Sequence, residues 1–249
     1  MAGPTRAAQL AFLLATLSAT SAPATPLESG PSFVVKGMPG LEAQVVTPSA
    51  SRGASAGVLY RYVSGSQRAA AAGAAVSLDQ ERPALAPSDF HSLAELAVQS
   101  ADGRQIVEIG WTVDRALNGD SDPHLFVFHW VDDQPSCYNG CGFVQVSSSA
   151  WPGMPIVPGR PARYGVRRRR EGWWVFYAGH AVGYFPHALW SGAFRRAGLF
   201  QVFGEVAIAA DGSCTDMGNG LFGSVSGSAR ISGFRLLGPA VPPRLKGLT

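Results

Sequence analysis

The sequence is short of charge, of cysteine and of long apolar runs. Lys, Arg, Asp and Glu make up 15% of 249 residues, and the formal net charge is +3. So small a balance gives no general field for gathering a polyanion, and nucleic-acid binding is not expected. Cysteines number three, and no His or Cys stands near them at a metal-ligand spacing, so no metal or cofactor is expected. Beyond the N-terminus no segment reaches about 18 unbroken apolar residues, which excludes a predicted membrane-spanning helix.

What is present fits one sizeable core. Apolar residues are 46% of the chain and glycines number 30, and β-branched or aromatic runs alternate with turn residues. That combination points to a single all-β domain of the exported kind. The N-terminus reads as a signal peptide over residues 1–24: Arg6, a short apolar run at 10–17, then small residues at 18–24. The mature protein is therefore expected to be secreted, off the membrane and monomeric. Residues 25–55 read as a linker, a short pro-segment or an early strand, residues 56–238 as the β-sandwich domain, and residues 239–249 as a frayed tail. Export permits disulfides, and Cys137 and Cys141 flank a tight turn and are expected to pair. Cys214 is left over as a plain thiol.

Strands are expected from residue 57 and at 104–114, 124–131, 141–147, 163–170, 173–179, 181–185, 200–209 and 228–237. Residues 91–100 fit helix or strand equally. One helix is expected at 186–198, with Pro186 in its first turn and Gly198 at its end. The predicted architecture is an antiparallel β-sandwich of two sheets with one short helix. The arginine run at 167–170 reads as a solvated edge that blocks sheet-to-sheet pairing, in preference to a patch for nucleic acid or an anionic wall.

Two acids break the strand pattern. In residues 105–113, Val107, Ile109, Trp111 and Val113 share a core-like face, which turns Glu108 to the other side, next to Gly110. The missing side chain of Gly110 is expected to leave room for a ligand backbone. In residues 202–208, Glu205 likewise lies opposite Val202, Gly204, Val206 and Ile208, on a face with Gln201 and Phe203. Pattern alone favours two unrelated exposed acids. If the strands lie near each other, two carboxylates line one cleft, one pKa rises and a proton is shared. The ionised acid can then take a proton from water. The protonated acid can hydrogen-bond a scissile carbonyl and later protonate the leaving nitrogen.

Six segments resemble, in order, motifs of the neprosin domain, a family of secreted glutamic peptidases first known from plants. They are VEIGWTV, NGDSDPHLFVFHWVDD, CYNGCGFVQV, GWWVFYAGHAVGYFPHALW, VFGEV and TDMGNGLF. The resemblance spans about residues 91–234 and reaches more weakly to 57. It implies a β-sandwich with catalytic glutamates at Glu108 and Glu205, metal-free hydrolysis of peptides at acidic pH, and a substrate cut after proline. The resemblance does not divide base from acid between two coupled carboxyls; Glu205 is preferred as base and Glu108 as acid. Phe203 stands where the family has glycine, which puts the residue accepted before the cut in question. Trp174, Tyr184 and Asn219 are further candidates for the substrate cleft, with core packing the plainer role for each Trp. The rival readings are a catalytically inactive secreted protein that binds peptide or glycan, and a glycosidase using the same two carboxylates.

Overall fold

Alternation of apolar and polar residues, with turn chemistry between the runs, dictates strands. The computed structural model describes residues 45–46, 57–209, 213–238 and 242–248. The described residues belong to one compact unit, Phe33–Thr249. The expected signal peptide lies outside the described residues, and so does most of segment 25–55.

The strands are β1 (Val45–Val46), β2 (Val58–Ala71), β3 (Gly73–Gln80), β4 (His91–Gln99), β5 (Ile106–Asp114), β6 (His124–Val131), β7 (Gln134–Pro135), β8 (Val144–Gln145), β9 (Arg160–Arg168), β10 (Gly172–Tyr177), β11 (His180–Pro186), β12 (Ala197–Ile208), β13 (Ile231–Leu237) and β14 (Lys246–Leu248). They form two antiparallel sheets. The first has eight strands in the order β1-β2-β12-β4-β5-β6-β7, with β14 also on β2, and the second has six in the order β13-β3-β9-β10-β11-β8. The architecture is the expected β-sandwich. The segment at 91–100, open between helix and strand, is β4, and all nine of its residues are buried.

The core lies between the sheets. Val107, Ile109, Trp111 and Val113 of β5 and Ala94, Leu96 and Val98 of β4 meet Tyr164, Val166, Trp173, Val175 and Phe185 of the second sheet. The Trp111 indole N–H donates to the Asp79 carbonyl at 2.9 Å, so the large ring is buried without an unsatisfied donor. A second apolar cluster lies on the outer face of the first sheet: Leu93, Ala97, Ile106, Phe126, Phe128, Trp130 and Phe203.

Several expectations change. Residues 186–198 do not form a helix. His187–Trp190 make one 3₁₀ turn, and left-handed Ser191 (φ 47°) and Gly192 (φ 84°) then redirect the chain into β12. Tertiary packing decides this: Trp190 and Phe194 are both buried in the core, the Trp190 N–H donates to Trp130 O (2.7 Å) and the Trp173 N–H to Phe194 O (3.0 Å). The described helix is instead a single turn, α1 (Arg115–Asn118), capped by Asp114 and ended by left-handed Gly119. Residues 246–248, read as frayed tail, are paired with Ser64–Ser66. The arginine run does not guard an edge: β9 and β10 lie inside the second sheet, between β3 and β11.

Gly110 also differs from expectation. A Cβ there would lie 2.2 Å from Ala94 O and 2.7 Å from Glu95 Cβ. The space beside the glycine belongs to β4, not to a ligand.

Candidate active site

Strand β4 runs between β12 and β5, and register decides what meets on its outer face. Glu205 lies opposite Leu93, and Glu108 lies opposite Ala97. Glu95 stands between those two positions on the same face, opposite Phe203 on one side and Gly110 on the other. Glu95 is thus the diagonal neighbour of both predicted acids, about 7–8 Å from each between Cα atoms, a distance that long side chains span. The two predicted acids are about 15 Å apart at Cα by the same geometry, with Glu95 on the line between them. All three side chains are fully buried.

Each outer acid has a named donor. His91, also on β4, places Nε2 2.7 Å from Glu205 Oε1, and both side chains have zero exposure. Its Nδ1 is buried and meets no hydrogen-bond partner among the described residues. A proton on Nδ1 would be a buried unsatisfied donor, so the hydrogen belongs on Nε2 and Glu205 is the acceptor. Trp130, on β6, donates its indole N–H to Glu108 Oε1 at 3.2 Å.

Tyr138 joins the three acids electrostatically. It comes from the loop between β7 and β8, and its ring packs on Phe126 (5.4 Å) and Phe128 (4.9 Å) of β6. Burial, then the negative charges of Glu205, Glu95, Asp114 and Glu108, push its phenol well above the ordinary range. The hydroxyl therefore keeps its proton and remains a donor among carboxylates. The loop is fixed by a disulfide between Cys137 and Cys141. Cys214 is a free, exposed thiol.

The remaining sequence candidates divide. Gln201 and Phe203 lie on β12 with Glu205. Gln201 accepts a hydrogen bond from Gln99, and Phe203 packs edge-on against Tyr62 at 5.7 Å. Trp174 and Tyr184 are not brought there: they stack on each other across β10 and β11 of the second sheet. Asn219 closes a loop, donating to Gly227 O (2.7 Å) and accepting from Ala229 N (3.1 Å). The sequence reading passed over His91, Glu95, Trp130 and Tyr138. Strand parity carries the signal for Glu95, because in HSLAELAVQ it shares a face with His91 and Gln99, away from Ala94, Leu96 and Val98.

Gly204, beside Glu205, faces the other way. A Cβ there would meet Met217 Sδ at 3.0 Å, so the glycine admits the TDMGNG loop against the inner face of the sheet.

Among solved structures, the chain is similar to chicken galectin 2 (9% identity, covering 68% of this chain and 98% of that one, TM-score 0.34). It is also similar to a Scytalido-glutamic peptidase with a peptide-based transition-state analogue (10% identity, 71% and 76% coverage, TM-score 0.37). The Neprosin family model matches residues 88–238, a span holding the whole row of acids and the disulfide loop, and the chain belongs to the Neprosin family.

Proposed function

We propose that the protein is an exported glutamic endopeptidase that hydrolyses peptide bonds without a metal, with Glu205 as base and Glu108 as acid. The observation that carries this reading is the Glu205–His91 hydrogen bond within a row of three glutamates on one sheet face. An imidazole N–H directed at a buried carboxylate favours its ionised form. The ionised Glu205 removes a proton from water, whose oxygen attacks the scissile carbonyl carbon. The Glu108 carboxyl donates a hydrogen bond to the carbonyl oxygen, and the Tyr138 hydroxyl is a further donor to developing negative charge. The C–N bond breaks as Glu108 gives its proton to the leaving nitrogen. Glu205 then holds one proton and Glu108 none. Glu95, diagonal to both, is the group through which that proton returns.

The pair is too far apart at the backbone for one proton to lie directly between its carboxyls, unlike the simplest shared-proton dyad. Glu95 lies between them on the same sheet face. Export is supported by the Cys137–Cys141 disulfide, and a peptide or protein, with proline before the cut, is the proposed substrate.

The test is cleavage of a proline-rich peptide by purified protein at about pH 3–5, around the ordinary range of carboxyl groups, with cuts mapped by mass spectrometry. Glu108→Gln and Glu205→Gln are each expected to abolish cleavage. Cleavage retained in both variants would remove the dyad, and an inactive wild type would favour a binding protein.

A further inference from the structure

The second sheet carries a basic face that the acid row does not use. On β9, Arg163, Gly165 and Arg167 alternate with the core residues Tyr164 and Val166, and Arg169 follows at the turn. Register sets Arg167 beside Trp174, Gly165 beside Phe176 and Ala75, and Arg235 of β13 beside the same Ala75. A groove of about 230 Å³ runs over this surface, lined by Arg163, Arg167, Arg169, Arg235 and Phe176 with Gly165 and Ala75 at its floor, and no acid among the described residues lines it. The nearby carboxylate of Glu171 accepts the Trp174 indole N–H instead.

The arginines are set for an anion. The Arg169 guanidinium lies 4.6 Å over the Trp174 ring and 5.0 Å over Phe176, so two aromatic faces hold the charge at this surface. Arg163 holds its proton less tightly than usual because of burial and the neighbouring Arg235 charge. Like charges gathered over a small-residue floor in the middle of a sheet cost stability, and a polyanion offsets that cost.

We infer that this groove binds an anionic polysaccharide, whose carboxylate or sulfate groups pair with Arg163, Arg167, Arg169 and Arg235 while a sugar ring lies over Gly165. Nucleic acid fits less well: Trp174 is already stacked with Tyr184 and Arg169, so guanidinium edges rather than an open aromatic platform do the recognising.

The experiment is affinity electrophoresis of the whole protein through gels containing polygalacturonate, dextran sulfate or neutral dextran, with single-stranded DNA as competitor. Retardation by polygalacturonate or dextran sulfate and not by dextran is expected, and which of the two retards more identifies the anionic group. Arg163→Ser with Arg235→Ser is expected to weaken retention about tenfold. Gly165→Leu keeps every charge but fills the floor, where a Cβ meets only ordinary contacts from 3.5 Å outward, and is expected to weaken it as much. Thermal melts check that both variants fold, and cleavage of a soluble peptide is expected to be unchanged in them. No retardation of the wild type, full retention by Gly165→Leu, or stronger binding to the DNA would overturn the proposal.

Discussion

His91 donates to Glu205 from the next strand, two residues out of direct register, and neither side chain reaches solvent. Replacing the imidazole removes a charge-assisted hydrogen bond of about 1.5–3 kcal/mol, which corresponds to a shift of roughly one to two pH units in the group it stabilises. His91→Phe is expected to move the acidic limb of the pH profile of kcat/KM upward by that amount. His91→Gln, whose amide still donates, is expected to restore most of it. A purely structural histidine would leave the limb in place and change only the yield of folded protein.

Glu95→Gln keeps the shape of the side chain between Gly110 and Phe203 but cannot pass a proton on. The expected result is a fall in kcat on the order of a hundredfold with KM little changed, in the range of lost general acid–base assistance. Steady-state kinetics on a single peptide decide it. An unchanged kcat would make Glu95 a bystander in the row.

Reduction of Cys137–Cys141 separates stability from activity. A ring this small contributes about 2 kcal/mol in the chain-entropy picture, yet it holds the loop that carries Tyr138 among the acids. Mild reductant is expected to lower the melting temperature by only a few degrees and to remove most peptidase activity. Tyr138→Phe should reproduce the loss of activity without the change in melting.

His129 faces the core and packs against Phe185 and Trp190. Burial lowers its pKa from 6.5 to about 4. Between those values the unfolded chain binds a proton that the native protein does not, so stability falls as pH falls through this window. The loss is about 3 kcal/mol over the full span. Urea unfolding at pH 7, 5.5 and 4 should show it, and His129→Gln should flatten the dependence.

The inner face of the first sheet was readable from sequence because Val107, Ile109, Trp111 and Val113 alternate without interruption. Glu108 and Glu205 stood out for the same reason: each breaks an apolar strand. Glu95 escaped because HSLAELAVQ fits helical and strand periods equally, and only its pairing with β5 and β12 settles the matter. His91 escaped with it. Trp174 and Tyr184 looked like cleft residues from chemistry alone, but which sheet a strand joins depends on pairings scattered over more than a hundred residues. The 186–198 segment shows the same limit. Its Pro and Gly punctuation suits a helix, whereas the demand of Trp190 and Phe194 for the core ends it after one turn.

Every residue of β4 is buried, and its side chains enter the sandwich core and the row of acids by turns. The two layers therefore share one backbone and open together. Amide hydrogens of Leu93, Glu95 and Ala97 should exchange only through global unfolding, among the slowest in the domain. The row of acids is then as durable as the protein itself: on warming, the environment of Glu95 and the sandwich should be lost at one midpoint.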